Sequence, residues 1–431
     1  MLYSLIRNTE QRIGPHLSQL AKGLGSYGSA ELATRFVRLL TTVVIARRLA
    51  PDIVGEAALA LTVFELVRVL ERIGTGQQIV RAPAAELAAT CNTVQRFYIG
   101  WTAALMIAQL LVAAMLGLVF HRPVAAELLA MLTLVYPFMA GGHVQFFLAM
   151  RAGHVARLAR IAASQSIADQ LLTAALLIAW PSPWSVVLPK LLTAPVWLVL
   201  ARRAAPWRPD RADGFLPAAQ VLRFAGPIML ADGMTALRTQ GDNLVIAATL
   251  GTAALGTYYF AFNAGVGIIS SLVTAFGTVA FPMLCGAASG PARTRLFRRI
   301  VLSGAALLVP VVAVQALAAP FYVPLVFGAH WAFAAPLIAT MCLAGVPLLL
   351  AQLSASWLRA EGRVGTDAIN STVTCALALG GLWLGARCGG LTLAVIGLIA
   401  GQTIGALWCG ARILIPALEI RPFKTLRPEF R

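Results

Sequence analysis

Charged residues recur at helical spacing inside stretches that are otherwise apolar. In the stretch 26–48, Glu31, Arg35 and Arg38 are spaced i, i+4 and i+7, so a helix places them on one face. An ionised side chain at the centre of a bilayer costs about 3 kcal/mol, so such groups indicate a functional site that faces protein or water. The same kind of stripe recurs in two other apolar stretches, with Glu65 and Arg68 in 53–72, and Asp232, Arg238 and Asp242 in 222–249.

The spacing of these charges also allows a purely structural interpretation. Glu31–Arg35 and Arg238–Asp242 are i, i+4 pairs, and Glu65–Arg68 is an i, i+3 pair. Neighbours at these spacings can neutralise each other and hold helices together. The sequence therefore leaves two alternatives open, ligand binding and internal ion pairing.

The apolar stretches predict an all-α polytopic membrane protein. The 431 residues are 59% hydrophobic and 12% charged, against about 25% charged in an ordinary soluble domain. A spanning helix needs about 20 mainly apolar residues. Twelve candidates are predicted, at 26–48, 53–72, 97–120, 126–149, 161–180, 184–201, 222–249, 253–284, 298–319, 332–357, 366–386 and 390–414.

The loop charges predict the orientation of the chain and explain its formal net charge of +17. With both termini cytoplasmic, 25 of the 34 basic residues fall in inside segments. The outside segments hold Arg47, Arg48, Arg122 and Arg387. This is the distribution that the positive-inside rule describes, so the charge indicates a membrane rather than a nucleic-acid partner.

An internal repeat divides the twelve helices into two halves. Residues 43–60 align without a gap with 244–261, at an offset of 201. Each copy ends the first helix of a half and starts the second, so the repeat is parallel. We expect an N-terminal lobe over 1–205, a cytoplasmic linker over 206–219 and a C-terminal lobe over 220–431. Two such pseudo-symmetric six-helix lobes would enclose a central cleft.

Other polar residues carry no motif for catalysis or metal binding. The chain shows no phosphate-binding loop, nucleophile triad or metal spacing, and we expect no enzyme activity, no metal and no cofactor. The six cysteines are expected to be small core residues. Four other polar residues are expected to be packed between helices: His143, Gln145, Asp169 and Asn370.

Two segments resemble the polysaccharide transport branch of the multidrug/oligosaccharidyl-lipid/polysaccharide superfamily, which includes bacterial O-antigen flippases. One is 33–82, which ends in a glycine-rich turn and a short basic tag, GTGQQIVR. The other is 224–284, in which Asp242 precedes a Leu-Gly turn and the Gly-x-Tyr of Gly256 to Tyr258.

The resemblance implies a flippase of the bacterial inner membrane that works by alternating access. Its implied substrate is an undecaprenyl-pyrophosphate-linked oligosaccharide, an O-antigen or exopolysaccharide repeat unit. It also implies a polysaccharide polymerase and a chain-length regulator as partners. An arginine fork pairs well with phosphate oxygens, so we expect Arg35, Arg38, Arg238 and Arg68 to bind the substrate, and Asp242, Asp232, Glu31 and Glu65 to serve ion coupling or charge balance.

Two other functions compete with this hypothesis. A cation-coupled drug or organic-cation antiporter of the same superfamily would use the intramembrane acids rather than the arginines. A membrane-embedded polymerase or glycosyltransferase would need a sizeable outside loop with catalytic side chains, and the predicted outside loops are short.

Overall fold

The structure is a computed structural model that describes residue 34, residues 36–71, 75–217, residue 237, and residues 239–286 and 290–418. Every regular element among these residues is helical. The chain separates into two compact units, Met1–Leu244 and Val245–Arg431. The separation lies within the seventh predicted span.

The first unit contains eight described helices and two short 3-10 turns. The helices are α1 (36–48), α2 (Pro51–Val69), α3 (Thr75–Arg81), α4 (Leu87–Leu118), α5 (Pro123–Leu132), α6 (Val135–Arg151), α7 (Val155–Ala179) and α8 (Pro183–Ala204).

The helix α9 (239–250) contains the boundary, and the second unit continues from it. Its helices are α10 (Thr252–Gly286), α11 (Pro291–Tyr322), α12 (Ala335–Cys342), α13 (Gly345–Ala360) and α14 (Val364–Leu418). A π-turn at Val323–Phe327 and a 3-10 turn at Ala329–Ala334 join α11 to α12. Gly389 and Gly390 leave helical geometry inside α14, which is therefore two helices joined at a kink.

Apart from α3, these helices lie at the twelve predicted spans, of which the first and seventh are described in part. Seven helical stretches of the described residues are long and apolar enough to cross a membrane, and the last of them contains two predicted spans, on either side of the Gly389–Gly390 kink. The helix α2 does not qualify by composition because it carries four charged residues, Asp52, Glu56, Glu65 and Arg68. The predicted fold class, an all-α polytopic membrane protein of twelve helices in two pseudo-symmetric lobes, is confirmed.

The repeat is visible in the hydrogen bonds of the turn that joins the first two helices of each half. The Val54 amide donates to the Ala50 carbonyl, and the Leu255 amide donates to the Gly251 carbonyl. Val54 and Leu255 are 201 residues apart in sequence, and so are Ala50 and Gly251. The second helix of each half therefore starts at an equivalent position, Pro51 and Thr252.

The fourth predicted span of each half is broken into two helices at an equivalent place. Pro137 and Pro347 are related by an offset of 210, and a proline has no amide to donate to the carbonyl four residues earlier. Those carbonyls, of Thr133 and Leu343, accept instead from the amides of Tyr136 and Val346, three residues ahead, at 3.2 and 3.3 Å. The spans predicted over 126–149 and 332–357 are therefore each interrupted by a tight turn, and the break has the same cause in both halves.

The helices after these breaks also end alike, since α6 and α13 both close on a left-handed glycine. Gly153 has φ 76° and Gly362 has φ 73°. The amides of His154 and Arg363 then donate back to the carbonyls of Ala149 and Leu358. Closure of this kind satisfies carbonyls that have no partner within the helix.

The two halves of α14 pack backbone against backbone through glycines. A Cβ added to Gly381 would lie 2.2 Å from the Gly397 carbonyl oxygen, and one added to Gly401 would lie 2.1 Å from the Leu377 carbonyl oxygen. Small residues spaced by four let membrane helices approach this closely. The spacing is present in the sequence as Gly381–Gly385 and as Gly397–Gly401–Gly405.

The cysteines correct one sequence-based expectation. Cys91, Cys342 and Cys409 are buried, and Cys375 is half-buried. Cys285 and Cys388 are exposed, so the prediction that all six are core residues is wrong for these two. Both lie at helix ends, where a small side chain need not be covered.

Candidate functional site

The Glu65–Arg68 pair lies at the C-terminal end of α2, which ends at Val69. The Arg68 Nη2 and Nε atoms donate to Glu65 Oε2 at 2.8 and 3.1 Å. The Arg68 guanidinium also lies 5.9 Å from the centre of the Phe64 ring. The side chains of Arg68 and Glu65 are 36% and 27% exposed. The predicted i, i+3 ion pair is thus present, and it is open enough to exchange partners with a ligand.

A second carboxylate, Glu71, is buried one turn further on and is held by aromatic residues. Its Oε1 accepts a hydrogen bond from the Tyr98 hydroxyl of α4. The Tyr98 ring stacks on the His143 ring of α6, with centroids 3.6 Å apart. His143 Nε2 in turn forms a hydrogen bond with Thr75 Oγ1 at 3.1 Å. The Glu71–Tyr98 hydrogen bond, the Tyr98–His143 ring stack and the His143–Thr75 hydrogen bond therefore follow one another through buried positions of the first unit.

The short helix α3 places Thr75 at the end of this series of contacts. Gly76 lies against the Phe147 ring so closely that a Cβ at this position would be 2.1 Å from it. At the other end of α3, Arg151 Nη1 donates to the carbonyls of Ile79, Val80 and Ala82 at 2.6–3.1 Å. A cation at a helix C-terminus satisfies free carbonyls and opposes the helix dipole. The described part of the basic tag, Thr75–Arg81, is thus a helix fixed by a glycine contact and an arginine cap.

Further hydrogen bonds join α6 to α4 and α4 to α5. The Tyr136 hydroxyl donates to Gln109 Oε1 at 2.7 Å, and Gln109 Nε2 donates to the Leu129 carbonyl at 2.9 Å. The Tyr136 ring packs 6.1 Å from the Phe64 ring, which Arg68 covers. Buried polar groups that are fully paired hold a core in one arrangement.

This arrangement has two consequences in a membrane. The half-exposed Arg68 can donate several hydrogen bonds to an anion, with Glu65 as its partner when the anion is absent. The buried Glu71 carboxylate is held in place by the hydrogen bond that it accepts from the Tyr98 hydroxyl. Sequence reasoning singled out Glu65 and Arg68 but missed Tyr98, Gln109 and Tyr136, which come from other helices.

The remaining predicted site residues fall into two groups. Arg38 is exposed on α1, ten residues or about 15 Å before the helix ends at residue 48. Asp242 is half-buried on α9 and accepts a hydrogen bond from the Asn243 amide at 2.9 Å. The others lie outside the described residues: Glu31, Arg35, Asp232 and Arg238.

The polar residues predicted to pack between helices behave differently from one another. His143 and Gln145 are buried and hydrogen-bonded, as expected. Asp169 of α7 pairs with Lys190 of α8 at 3.4 Å and so links two helices. Asn370 is buried, but neither of its side-chain polar atoms has a partner among the described residues.

The fold defines the class of protein. A solved structure of the lipid II flippase MurJ in an inward closed conformation superposes with a TM-score of 0.74 at 12% identity, covering 91% of this chain and 88% of that chain. An inward-facing multidrug resistance transporter of the MATE family superposes with a TM-score of 0.66 at 16% identity, covering 90% and 96%. The fold is that of the multidrug/oligosaccharidyl-lipid/polysaccharide superfamily.

The sequence defines the family within that class. A profile of the family described as polysaccharide biosynthesis protein matches residues 44–336, and the chain belongs to this family. The lipopolysaccharide biosynthesis protein WzxC of Escherichia coli (strain K12) is 22% identical over 375 residues, which are 86% of this chain and 75% of WzxC. The resemblance seen in the sequence is confirmed, and the protein is a multi-pass membrane transporter rather than an enzyme.

Proposed function

We propose that this protein moves an oligosaccharide linked to undecaprenyl pyrophosphate across the bacterial inner membrane by alternating access. Membership of the polysaccharide biosynthesis family, across 44–336, is the observation that carries this proposal. The similarity to WzxC and the fold shared with a lipid II flippase support a lipid-linked sugar as the substrate. A pyrophosphate head group cannot cross hydrocarbon unaided, because its charges lose their hydration there.

The substrate's pyrophosphate would be bound by Arg35, Arg38, Arg68 and Arg238. Arg38 supports this role because its side chain is exposed and it lies within the apolar stretch 26–48 of the sequence. Arg68 supports it because its guanidinium is half-exposed and is already oriented by Glu65. Arginine pairs with phosphate oxygens through two parallel hydrogen bonds, which neither Lys nor a neutral donor reproduces.

The acids would balance these charges or bind the ion whose movement resets the transporter. Glu65 fits the first role through its ion pair with Arg68. Asp242, Asp232 and Glu31 are proposed for charge balance or coupling on the strength of their intramembrane positions in the sequence. A polysaccharide polymerase and a chain-length regulator remain the proposed partners.

Replacement of the described arginines tests this assignment. In cells that depend on the protein for surface polysaccharide, we expect Arg38→Ala and Arg68→Ala each to lower polysaccharide export by about tenfold or more, because one charge-assisted hydrogen bond contributes about 1.5–3 kcal/mol. Arg48→Ala is the matched control, since Arg48 is exposed at the outer end of the same helix as Arg38. Surface polysaccharide is measured relative to the amount of protein in the membrane.

Two outcomes would contradict the proposal in different ways. Normal polysaccharide in the double variant Arg38→Ala/Arg68→Ala would exclude these arginines from the substrate site. Normal polysaccharide on deletion of the gene, together with a changed tolerance of cationic drugs, would favour the antiporter alternative.

A further inference from the structure

A cavity of about 510 Å³ opens beside the first turns of α4, and neither Glu65 nor Arg68 lines it. It is lined by Arg96, Phe97, Gly100 and Trp101 of α4 and by Phe215 and Leu216 of the segment that follows α8. We propose that this cavity binds the phosphate head group of an anionic membrane phospholipid. The proposal concerns a resident lipid and does not depend on the identity of the transported substrate.

The length of α4 places the cavity at the level of the lipid head groups. Its 32 residues span about 48 Å, whereas the hydrocarbon core is about 30 Å thick. The part from Ile99 to Leu118 is almost wholly apolar and is long enough to cross the core. The turns before it carry Asn92, Thr93 and Arg96, so Arg96 lies about one turn outside the hydrocarbon, on the side predicted to be cytoplasmic.

The far wall of the cavity is held to α4 by hydrogen bonds. Asn92 Nδ2 donates to the carbonyls of Asp210 and Gly214 at 2.5 and 3.2 Å. The Leu216 amide donates to Thr93 Oγ1 at 2.8 Å. These bonds place the Phe215 ring 5.8 Å from the Arg96 guanidinium carbon. The cavity is therefore built by both segments.

The chemistry of the lining residues fits one phosphodiester. Arg96 is exposed and is the charged residue among those that line the cavity. One guanidinium balances the single negative charge of a phosphodiester and binds two of its oxygens. Basic pockets beside membrane helices on the cytoplasmic side bind anionic lipid head groups in this way.

The aromatic residues complete a site for the less polar part of the same lipid. Phe97, Trp101 and Phe215 also line the cavity. The Trp101 indole N–H donates to the Leu70 carbonyl at 2.9 Å, which fixes the ring at the membrane boundary. Tryptophan is enriched at this depth because its ring is apolar while its N–H needs a partner. The glycerol and the first acyl carbons of a bound phospholipid would lie against these rings.

Gly100 provides a way to close the cavity without disturbing the fold. A Cβ added to it would meet no atom within 4 Å. A bulky side chain at this position would therefore extend into the cavity, which Gly100 lines.

Native mass spectrometry of the full-length protein in detergent tests the proposal. The protein is titrated with phosphatidylglycerol or with phosphatidylethanolamine that carries the same acyl chains. We expect tighter binding of phosphatidylglycerol, and we expect Arg96→Gln to weaken that binding by about tenfold, the effect of losing one charge-assisted contact. Gly100→Phe should weaken it by a similar factor, because the added ring occupies the cavity. Arg48→Gln, which removes an exposed arginine far along the sequence from the cavity, should bind as the parent does.

The outcomes separate this site from alternatives. Equal binding of the two lipids by the parent protein, or unchanged phosphatidylglycerol binding by Gly100→Phe, would overturn the proposal. If Arg96→Gln weakens binding and Arg96→Lys restores it, the cation itself is responsible. The unfolding temperature of each variant is recorded, and Gly100→Phe keeps the test valid if Arg96→Gln fails to fold.

Discussion

The hydrogen bond from Tyr98 to Glu71 joins two buried side chains, so its removal should be costly. Tyr98 is 2% exposed and Glu71 is 8% exposed. We expect Tyr98→Phe to lower the free energy of unfolding by about 1–3 kcal/mol, because the carboxylate then loses a donor that water cannot replace. Thermal unfolding of the purified protein measures the effect.

Two further variants make this test specific. Tyr259→Phe removes the hydroxyl of a half-buried tyrosine on α10 and should change stability by much less. In a Glu71→Leu background, Tyr98→Phe should lose most of its effect, since the partner is already absent. A full effect of Tyr98→Phe without Glu71 would show that the hydrogen bond is not its cause.

Individual residues of the candidate site were predictable only where the sequence itself makes them unusual. Glu65 and Arg68 stand out because charge is rare in a membrane helix, and their pairing follows from i, i+3 spacing. Tyr98 and Gln109 do not stand out, because each is an ordinary residue of an apolar helix. Their roles depend on Glu71 and Tyr136, which are 27 residues away in sequence in both cases, and no local pattern specifies that approach.

At the scale of elements, two adjacent glycines of α14 offer a matched comparison. A Cβ at Gly381 would lie 2.2 Å from the Gly397 carbonyl oxygen, whereas a Cβ at Gly380 would meet nothing within 4 Å. We expect Gly381→Ala to destabilise the protein by about 1–3 kcal/mol, because the last two helices must separate. Gly380→Ala should be neutral or slightly stabilising, since alanine favours helix.

Thermal unfolding and the yield of folded protein distinguish these two variants. Equal behaviour of Gly380→Ala and Gly381→Ala would show that the two helices do not pack through their backbones. A loss of stability confined to Gly381→Ala would support the close packing, because the two changes add the same methyl group one residue apart.

The positions of the helices were predictable, whereas it was harder to predict which prolines break a helix. Apolar length is enough to locate a span, since a membrane helix must satisfy its own backbone groups. A break needs a local cause such as Pro137 or Pro347, and proline within a membrane helix does not always produce one: Pro189 and Pro195 both lie inside the continuous helix α8. What distinguishes Pro137 and Pro347 is the tight turn just before each, which three-dimensional packing decides.

At the scale of the whole molecule, loop charge and the internal repeat were sufficient to predict the class of fold. Alternation of basic loops fixes the number of spans, and the parallel repeat at an offset of 201 fixes how the spans are grouped. The hydrogen bonds at Ala50 and Gly251 bear out the repeat in detail. It was harder to predict that the segment after α8 packs against α4. That packing depends on contacts such as those of Asn92 with Asp210 and Gly214.

The orientation of the chain can be tested with two of its own cysteines. Cys285 and Cys388 are exposed at helix ends, and the loop charges assign Cys285 to the cytoplasmic side and Cys388 to the outer side. In variants that keep one of these cysteines and replace the other five by alanine, a membrane-impermeant maleimide should label Cys388 in spheroplasts. Cys285 should remain unlabelled there and become labelled in inside-out vesicles.

The two cysteines control for each other, because both are exposed thiols and differ in their predicted side. Labelling of Cys285 but not Cys388 in spheroplasts would mean that the chain is inserted with the opposite orientation. Labelling of both from one side would mean that an even number of spans separates them. The predicted number is three, namely 298–319, 332–357 and 366–386. The pattern of labelling therefore tests the direction of the chain and the count of helices in the second half together.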